Sequence, residues 1–208
     1  LTSANKAKNG VYNKGKNRIN DILDAAHELL IDAGYHNFSM RKVADAAGIK
    51  LGNLQYYFPS KSVLVSAMLD KTIQVYLDEF DEIRTHGNPE EQFQNLLKHV
   101  ISDLTKRETT QFFPELWSLS NHEEEMTVHM DQMYAKYRST LGDIITEMNP
   151  ALTPKQVEKL ALFISASVEG HTVFIGHNKP WTKEVDNIIK MAVQSFTWLI
   201  EHGEIPKR

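Results

Sequence analysis

Residues 39–64 read SMRKVADAAGIKLGNLQYYFPSKSVL, and the spacing of caps, glycines and apolar residues within them decides the fold. Ser39 stands where a helix N-cap is needed, and Val43, Ala44 and Ala47 give the following eight or so residues one inward face. Gly48 ends that helix. A very short second helix is predicted across Gly52–Phe58, with Leu54 and Phe58, four apart, as its anchoring stripe. Asn53, Gln55, Tyr56 and Tyr57 are left toward the outside. Pro59-Ser60 breaks the chain again, and Ser60 caps a long helix from Lys61 to about Thr85. Two short helices joined by a glycine-containing turn form a helix-turn-helix, whose second member lies in a DNA groove in nucleic-acid-binding proteins. Gly52 lets backbone N–H groups approach a phosphate, and Lys61 adds a positive charge near the same surface.

Helical periodicity extends outward in both directions. On the N-terminal side Ile19, Ile22, Leu23, Ala26, Leu30 and Ala33 repeat at helical spacing, and Gly34 supplies the stop. Residues 1–16, rich in Lys, Asn and Gly without periodicity, read as a flexible basic arm. Beyond residue 85, Asn88-Pro89-Glu90-Glu91 opens one helix, and segments near Thr110–Ser120 and His122–Met148 supply two more. Thr153-Pro154-Lys155-Gln156 has the form of a capping box and starts a helix running to about Gly176, while Thr182 caps the last one. The expectation is an all-α protein of about nine helices: an arm at 1–16, a three-helix DNA-binding domain at 17–62, and a larger helical domain at 63–208.

Composition narrows the function. No cysteine is present among the 208 residues, which excludes a disulfide framework, a cysteine nucleophile and thiolate metal sites. No apolar run approaches the roughly 18 residues of a membrane span, and the basic, polar start does not read as a secretory signal. A cytoplasmic, membrane-free protein is expected. The net charge of −4 hides an asymmetry: residues 1–62 hold nine Lys/Arg against five Asp/Glu, and the remainder fourteen against twenty-two. A basic head on an acidic body points to a polyanion partner for the head alone.

The 39–64 stretch closely resembles the DNA-binding domain of TetR-family transcriptional regulators. The matching elements are Ser39, Arg41, Val43-Ala44, Ala47-Gly48-Ile49, Gly52, Leu54, Tyr57-Phe58 and Ser60-Lys61, with Gly34-Tyr35 at the spacing the family shows. Two positions depart from the pattern. Lys50 stands where the family usually has Ser or Thr, and Gln55 replaces a frequent Tyr. The resemblance implies that Ser39, Lys50, Gly52, Tyr57 and Lys61 hold phosphates, and that Asn53, Gln55 and Tyr56 face base edges. Gln55 suits adenine, whose N6 and N7 a glutamine amide can bond together. Arg41 either touches DNA or pairs with Asp45, four residues on.

The resemblance also implies a C-terminal domain that takes a small-molecule effector and forms a homodimer. Phe113, Trp117, Met130, Met133, Tyr134 and Tyr137 are candidate pocket residues, together with Phe163, His171 and Phe174, because pockets are mostly apolar and methionine adapts to irregular ligands. The last helix carries a second apolar face at Met191, Ser195 and Trp198; with Val168 and Ile175 these are the candidate dimer contacts.

An enzyme finds no constellation here. His27-Glu28 begins like a zinc-protease helix, but Ile31 stands where the second histidine belongs. No glutamate has a histidine three residues on, as di-iron bundles require. His122, Glu125 and His129 share one helix face and read as a solvated surface, so neither a metal nor a cofactor is expected. The function read from the sequence is a bacterial DNA-binding regulator: a repressor that a small molecule releases from a palindromic operator. A constitutive DNA-binding protein and a helical enzyme or lipid-binding module are the alternatives.

Overall fold

A computed structural model describes residues 3–206, with side chains from residue 17 onward. Among the described residues the secondary structure is entirely helical: α1 (Ser3–Asn37), α2 (Met40–Ala46), α3 (Leu51–Tyr57), α4 (Lys61–Arg84), α5 (Pro89–Asp103), α6 (Arg107–Ser120), α7 (Glu124–Met148), α8 (Pro154–Gly170), α9 (Thr172–Ile175) and α10 (Val185–His202). Nine of these match the expected helices. The tenth, α9, is a single turn that splits off the end of the predicted 154–176 helix, which stops at Gly170. The chain divides into two compact units, Leu1–Thr72 and Ile73–Arg208, so the boundary falls inside α4, ten residues beyond the predicted one.

In the first unit α2 packs on α1 and on α3. Ile22, Ala26 and Leu30 of α1, Val43 and Ala44 of α2, and Leu54 of α3 are wholly buried, with Phe38 and Phe58 nearly so. Burying side chains of this size is worth about 1.5–3 kcal/mol each, which holds α2 and α3, seven residues each and too short to persist alone. Gly34 breaks α1 as expected: its φ of 69° and ψ of 164° are non-helical, and its missing Cβ makes that conformation accessible. Gly48, at φ 64°, makes the turn between α2 and α3 for the same reason. Residues 3–16 differ from expectation. Their backbone continues α1 instead of forming an arm, since no proline interrupts them and extending an existing helix avoids the cost of a new nucleus. The arm lysines belong to residues whose side chains lie outside the described set.

In the second unit α7 packs against α5, α6 and α8, and α5 packs against α10. Phe93, Leu96, Leu97, Ile101, Leu141, Ile144, Ile145 and Ile164 form its fully buried centre. The predicted starts hold where caps define them. The Asn88 side chain accepts from the Glu91 N–H at 3.0 Å while Glu91 accepts from the Asn88 N–H at 2.9 Å. Gln156 accepts from the Thr153 N–H at 3.0 Å. Thr182 departs from expectation: it opens a 3-10 turn, Thr182–Glu184, ahead of α10. Its hydroxyl turns back to donate to the Gly176 carbonyl at 2.6 Å, and the N-cap position of α10 falls to Glu184, without a side-chain cap bond.

Candidate functional site

The DNA-facing candidates lie on α2, α3 and the start of α4. Ser39 is consumed as a cap, its oxygen accepting from the Lys42 N–H at 3.4 Å, which fixes where α2 begins. On α3 the division between faces is sharp. Leu54 and Phe58 are buried, whereas Asn53 and Gln55 are exposed and Tyr56 is 80% exposed. Tyr57 is half-buried and meets Tyr56 edge to face, with ring centroids 5.2 Å apart. Arg41 and Lys50 are exposed, and Lys50 occupies the N-cap position of α3 without a side-chain cap bond. A Cβ built on Gly52 meets nothing within 4 Å, so no packing inside the chain demands glycine there.

Lys61 also has contacts inside the chain. Its ammonium sits 3.4 Å from the centroid of the Tyr35 ring and donates to the Tyr35 carbonyl oxygen at 3.2 Å. Phe38 lies at 5.5 Å. The charge therefore ties the start of α4 to the α1–α2 connection by a cation–π contact, a role that helical periodicity does not reveal.

The second unit contains a cavity of about 60 Å³. Five aromatic rings line it: Tyr76 and Phe80 from α4, Phe113 from α6, and Tyr134 and Tyr137 from α7. Met133 also lines it, and the polar wall is Asp103, Thr109 and Glu169. Of the expected pocket residues, then, Phe113, Met133, Tyr134 and Tyr137 reach the cavity. Trp117 stands behind it, donating its indole N–H to the Tyr134 oxygen at 2.8 Å. Met130 is buried and absent from the lining. His171 is half-buried, absent from the lining, and lowered in pKa by burial. Phe163 and Phe174 lie on the surface: Phe163 falls outside the inward stripe of α8, Leu160, Ala161, Ile164 and Val168, and the break after Gly170 turns Phe174 out. A larger groove of about 460 Å³ runs along α7 and α8 past Arg138, Asp143 and Glu158; it is open and charged, unlike ordinary small-molecule pockets.

Two carboxylates in the cavity wall have opposite surroundings. Burial alone would push Asp103 up, but hydrogen bonds from Lys106, Tyr76 and Thr109 outweigh it and hold its pKa below the ordinary value. The Thr109 hydroxyl donates to it at 2.8 Å, and Lys106 forms its ion pair. Glu169 has burial as the cause of its shift and is pushed up to about 7. Nearby, the Tyr137 oxygen is buried without a hydrogen-bond partner. Burial and then the Glu169 charge raise the pKa of both Tyr134 and Tyr137. Asp103 and Glu169 escaped the sequence reading. The available signal was an acid at an inward register: Glu169 follows Ala161 and Ser165 at steps of four, and Asp103 follows Leu96 and Val100 at steps of four and three.

The expected dimer contacts also divide. Met191 and Trp198 on α10 are exposed large hydrophobics, and Ser195 between them is exposed. Val168 and Ile175 are buried in the chain's own core instead, since the inward stripe of α8 ends with Val168 and α9 folds Ile175 under. Leu162 and Phe163 on α8, with Val173 and Phe174 on α9, are exposed. The Phe163 ring meets Phe196 of α10 edge to face at 6.2 Å, so the apolar surface spans both helices. Among the described residues no helix is long and apolar enough to cross a membrane, and no three acidic or histidine side chains gather as a metal site would require.

Comparison with known proteins agrees in both units. Residues 22–68 match the family described as bacterial regulatory proteins, tetR family. Residues 89–192 match the BetI-type transcriptional repressor C-terminal family. An uncharacterized HTH-type transcriptional regulator from the dhlA 5′ region of Xanthobacter autotrophicus is 32% identical, over 73% of this chain and 76% of its own length. Among solved structures, Salmonella enterica GusR superposes with a TM-score of 0.72 at 16% identity, covering 88% of this chain and 95% of its own. Bacillus subtilis FadR in complex with stearoyl-CoA superposes with a TM-score of 0.67 at 18% identity, covering 88% and 97%.

Proposed function

The chain belongs to the TetR family of transcriptional regulators, and from that premise we propose that it is a repressor, bound to a palindromic operator as a homodimer and released when a small molecule enters the second-unit cavity. The observation that carries the DNA half is α3 itself. Its apolar side is spent on Leu54 and Phe58, and its outward side presents Asn53, Gln55 and the exposed Tyr56 ring. Base edges are read by side chains of this kind, while Arg41, Lys50 and the Gly52 backbone set position on phosphates. Lys61 contributes by holding α4 to Tyr35. The protein works in the cytoplasm, where its DNA lies.

Two copies are needed because one seven-residue helix covers only one half-site. Pairing through the exposed α8, α9 and α10 surface would bury Phe163, Phe174, Met191 and Trp198 and set two recognition helices about 34–36 Å apart, one turn of DNA. Helix α4 carries Lys61 at its start and the cavity residues Tyr76 and Phe80 further along. A cavity of about 60 Å³ is far below the roughly 300–1,000 Å³ of pockets that hold drug-sized ligands. An effector therefore has to displace side chains, α4 among the elements moved, and it releases DNA only if it prefers the displaced state.

The test is an electrophoretic shift assay against the DNA upstream of the protein's own gene, with unrelated competitor, followed by small-molecule release. Retarded, competitor-resistant DNA that an effector frees is the expected result. No preference for any duplex sequence at low salt would refute the proposal. A disulfide or chemical crosslink that fixes the two heads should abolish effector-induced release; release that survives it would refute the α4 route.

A further inference from the structure

The polar groups of the cavity are unevenly satisfied, and the imbalance specifies a ligand. Lysine, arginine and histidine are missing from the lining, which carries two carboxylates. Asp103 is fully engaged by Lys106, Tyr76 and Thr109. That leaves the Glu169 carboxylate, opposed by burial alone, and the Tyr137 oxygen, buried without a partner. Both are oxygens able to accept, and they lie among aromatic rings whose faces attract cations. Resting on the reading of this cavity as the effector site, we infer that it takes a primary amine in its ammonium form, with N–H groups donated to Glu169 and Tyr137 and an apolar body against Phe80 and Phe113.

The chemistry discriminates among ligand classes. A carboxylate or an acyl-CoA, such as the stearoyl-CoA held by Bacillus subtilis FadR, would bring negative charge to a wall that already has an unpaired acid. A neutral alcohol would leave the Glu169 charge uncompensated, and uncompensated buried charge is costly. A quaternary ammonium would satisfy the rings and the charge but, lacking N–H, would leave both oxygens without a donor.

The test is isothermal titration of the full-length protein with four probes of one skeleton: phenethylamine, its N,N,N-trimethyl derivative, 2-phenylethanol and phenylacetate. Phenethylamine should bind at pH 8 at least tenfold more tightly than each of the others. Glu169→Gln should weaken it at least thirtyfold and Tyr137→Phe about fivefold, with both variants keeping a cooperative helical melt. Binding should also weaken about tenfold between pH 8 and pH 6, as Glu169 takes up a proton while the amine keeps its own. Tyr76, Tyr134 and Tyr137 are raised and Asp103 is lowered, so none of these titrates in that interval; His171, two residues on, is lowered by burial from its ordinary 6.5, and the pH series repeated in His171→Gln should keep the tenfold change. Equal affinity for the alcohol, phenylacetate or trimethyl probe overturns the inference, as does an unchanged affinity in Glu169→Gln. DNA release is read separately. An amine that binds without freeing DNA refutes the effector reading and leaves the amine site standing; release by a neutral probe does the reverse.

Discussion

Gly52→Ala separates folding from DNA binding, because it should move the two in opposite directions. A Cβ at this position meets nothing within 4 Å, its φ is not left-handed, and it lies inside α3. Alanine therefore costs no packing and gains about 0.5–1 kcal/mol from the lower entropy of the unfolded chain. For a chain of this size that raises the melting temperature by about 1–4 °C. On DNA the added methyl stands between the backbone and the phosphate it approaches. A hydrogen bond to a charged group is worth about 1.5–3 kcal/mol, and a dimer loses it twice. Affinity should fall about a hundredfold to ten-thousandfold. No charge is removed, so the salt dependence of binding keeps its slope, whereas Lys50→Ala would flatten it. Thermal melting by circular dichroism and fluorescence anisotropy on a labelled operator, across a salt series, give all three quantities. A variant that melts higher and binds DNA as tightly as the parent would refute the close approach at Gly52.

Gln55→Ala should leave the melt unchanged, since Gln55 is exposed, and reduce discrimination at one operator position by about 1–3 kcal/mol; binding selection from a randomised operator would detect it, and an unchanged consensus would deny Gln55 a base contact. Glu169 gives the apo protein a stability slope. Its pKa of about 7 exceeds the ordinary 4.5, so the folded chain holds a proton that the unfolded chain releases between those values. That stability is full below pH 4.5 and is lost as pH rises through 7, at most about 3 kcal/mol. Glu169→Gln should match the parent near pH 5 and outlast it in urea at pH 8; parallel profiles would show that Glu169 is solvated. Phe163→Glu combined with Trp198→Glu places charge on the exposed α8–α10 surface and should yield monomers by sedimentation with the melt retained. A persistent dimer would place the interface elsewhere.

The helix-turn-helix was legible because its signals are local. The Ser39 cap, the positive φ at Gly48, and the Leu54 and Phe58 anchors each depend on a few neighbouring residues, and each appears where the spacing puts it. The cavity was legible only in its aromatic supply. Periodicity gives Phe163 a place on α8 but not which face of that helix turns to the core, and it cannot see that α8 stops at Gly170 and leaves the Phe174 ring outside. Lys61 illustrates the same limit. Its partner Tyr35 is twenty-six residues away, and no local pattern links a lysine at a helix start to a distant ring. Glu169 was overlooked because an acid on an apolar stripe looks like an interruption until the surrounding wall is known to lack a cation.

Hydroxyl-radical footprinting of the protein on its upstream DNA, with the bound mass measured alongside, addresses the claim on which the other assignments depend. Two protected segments related by a dyad and centred about one helical turn apart, occupied by an even number of chains, are the predicted result. A single protected segment under one chain, or uniform protection without sequence preference, would contradict it.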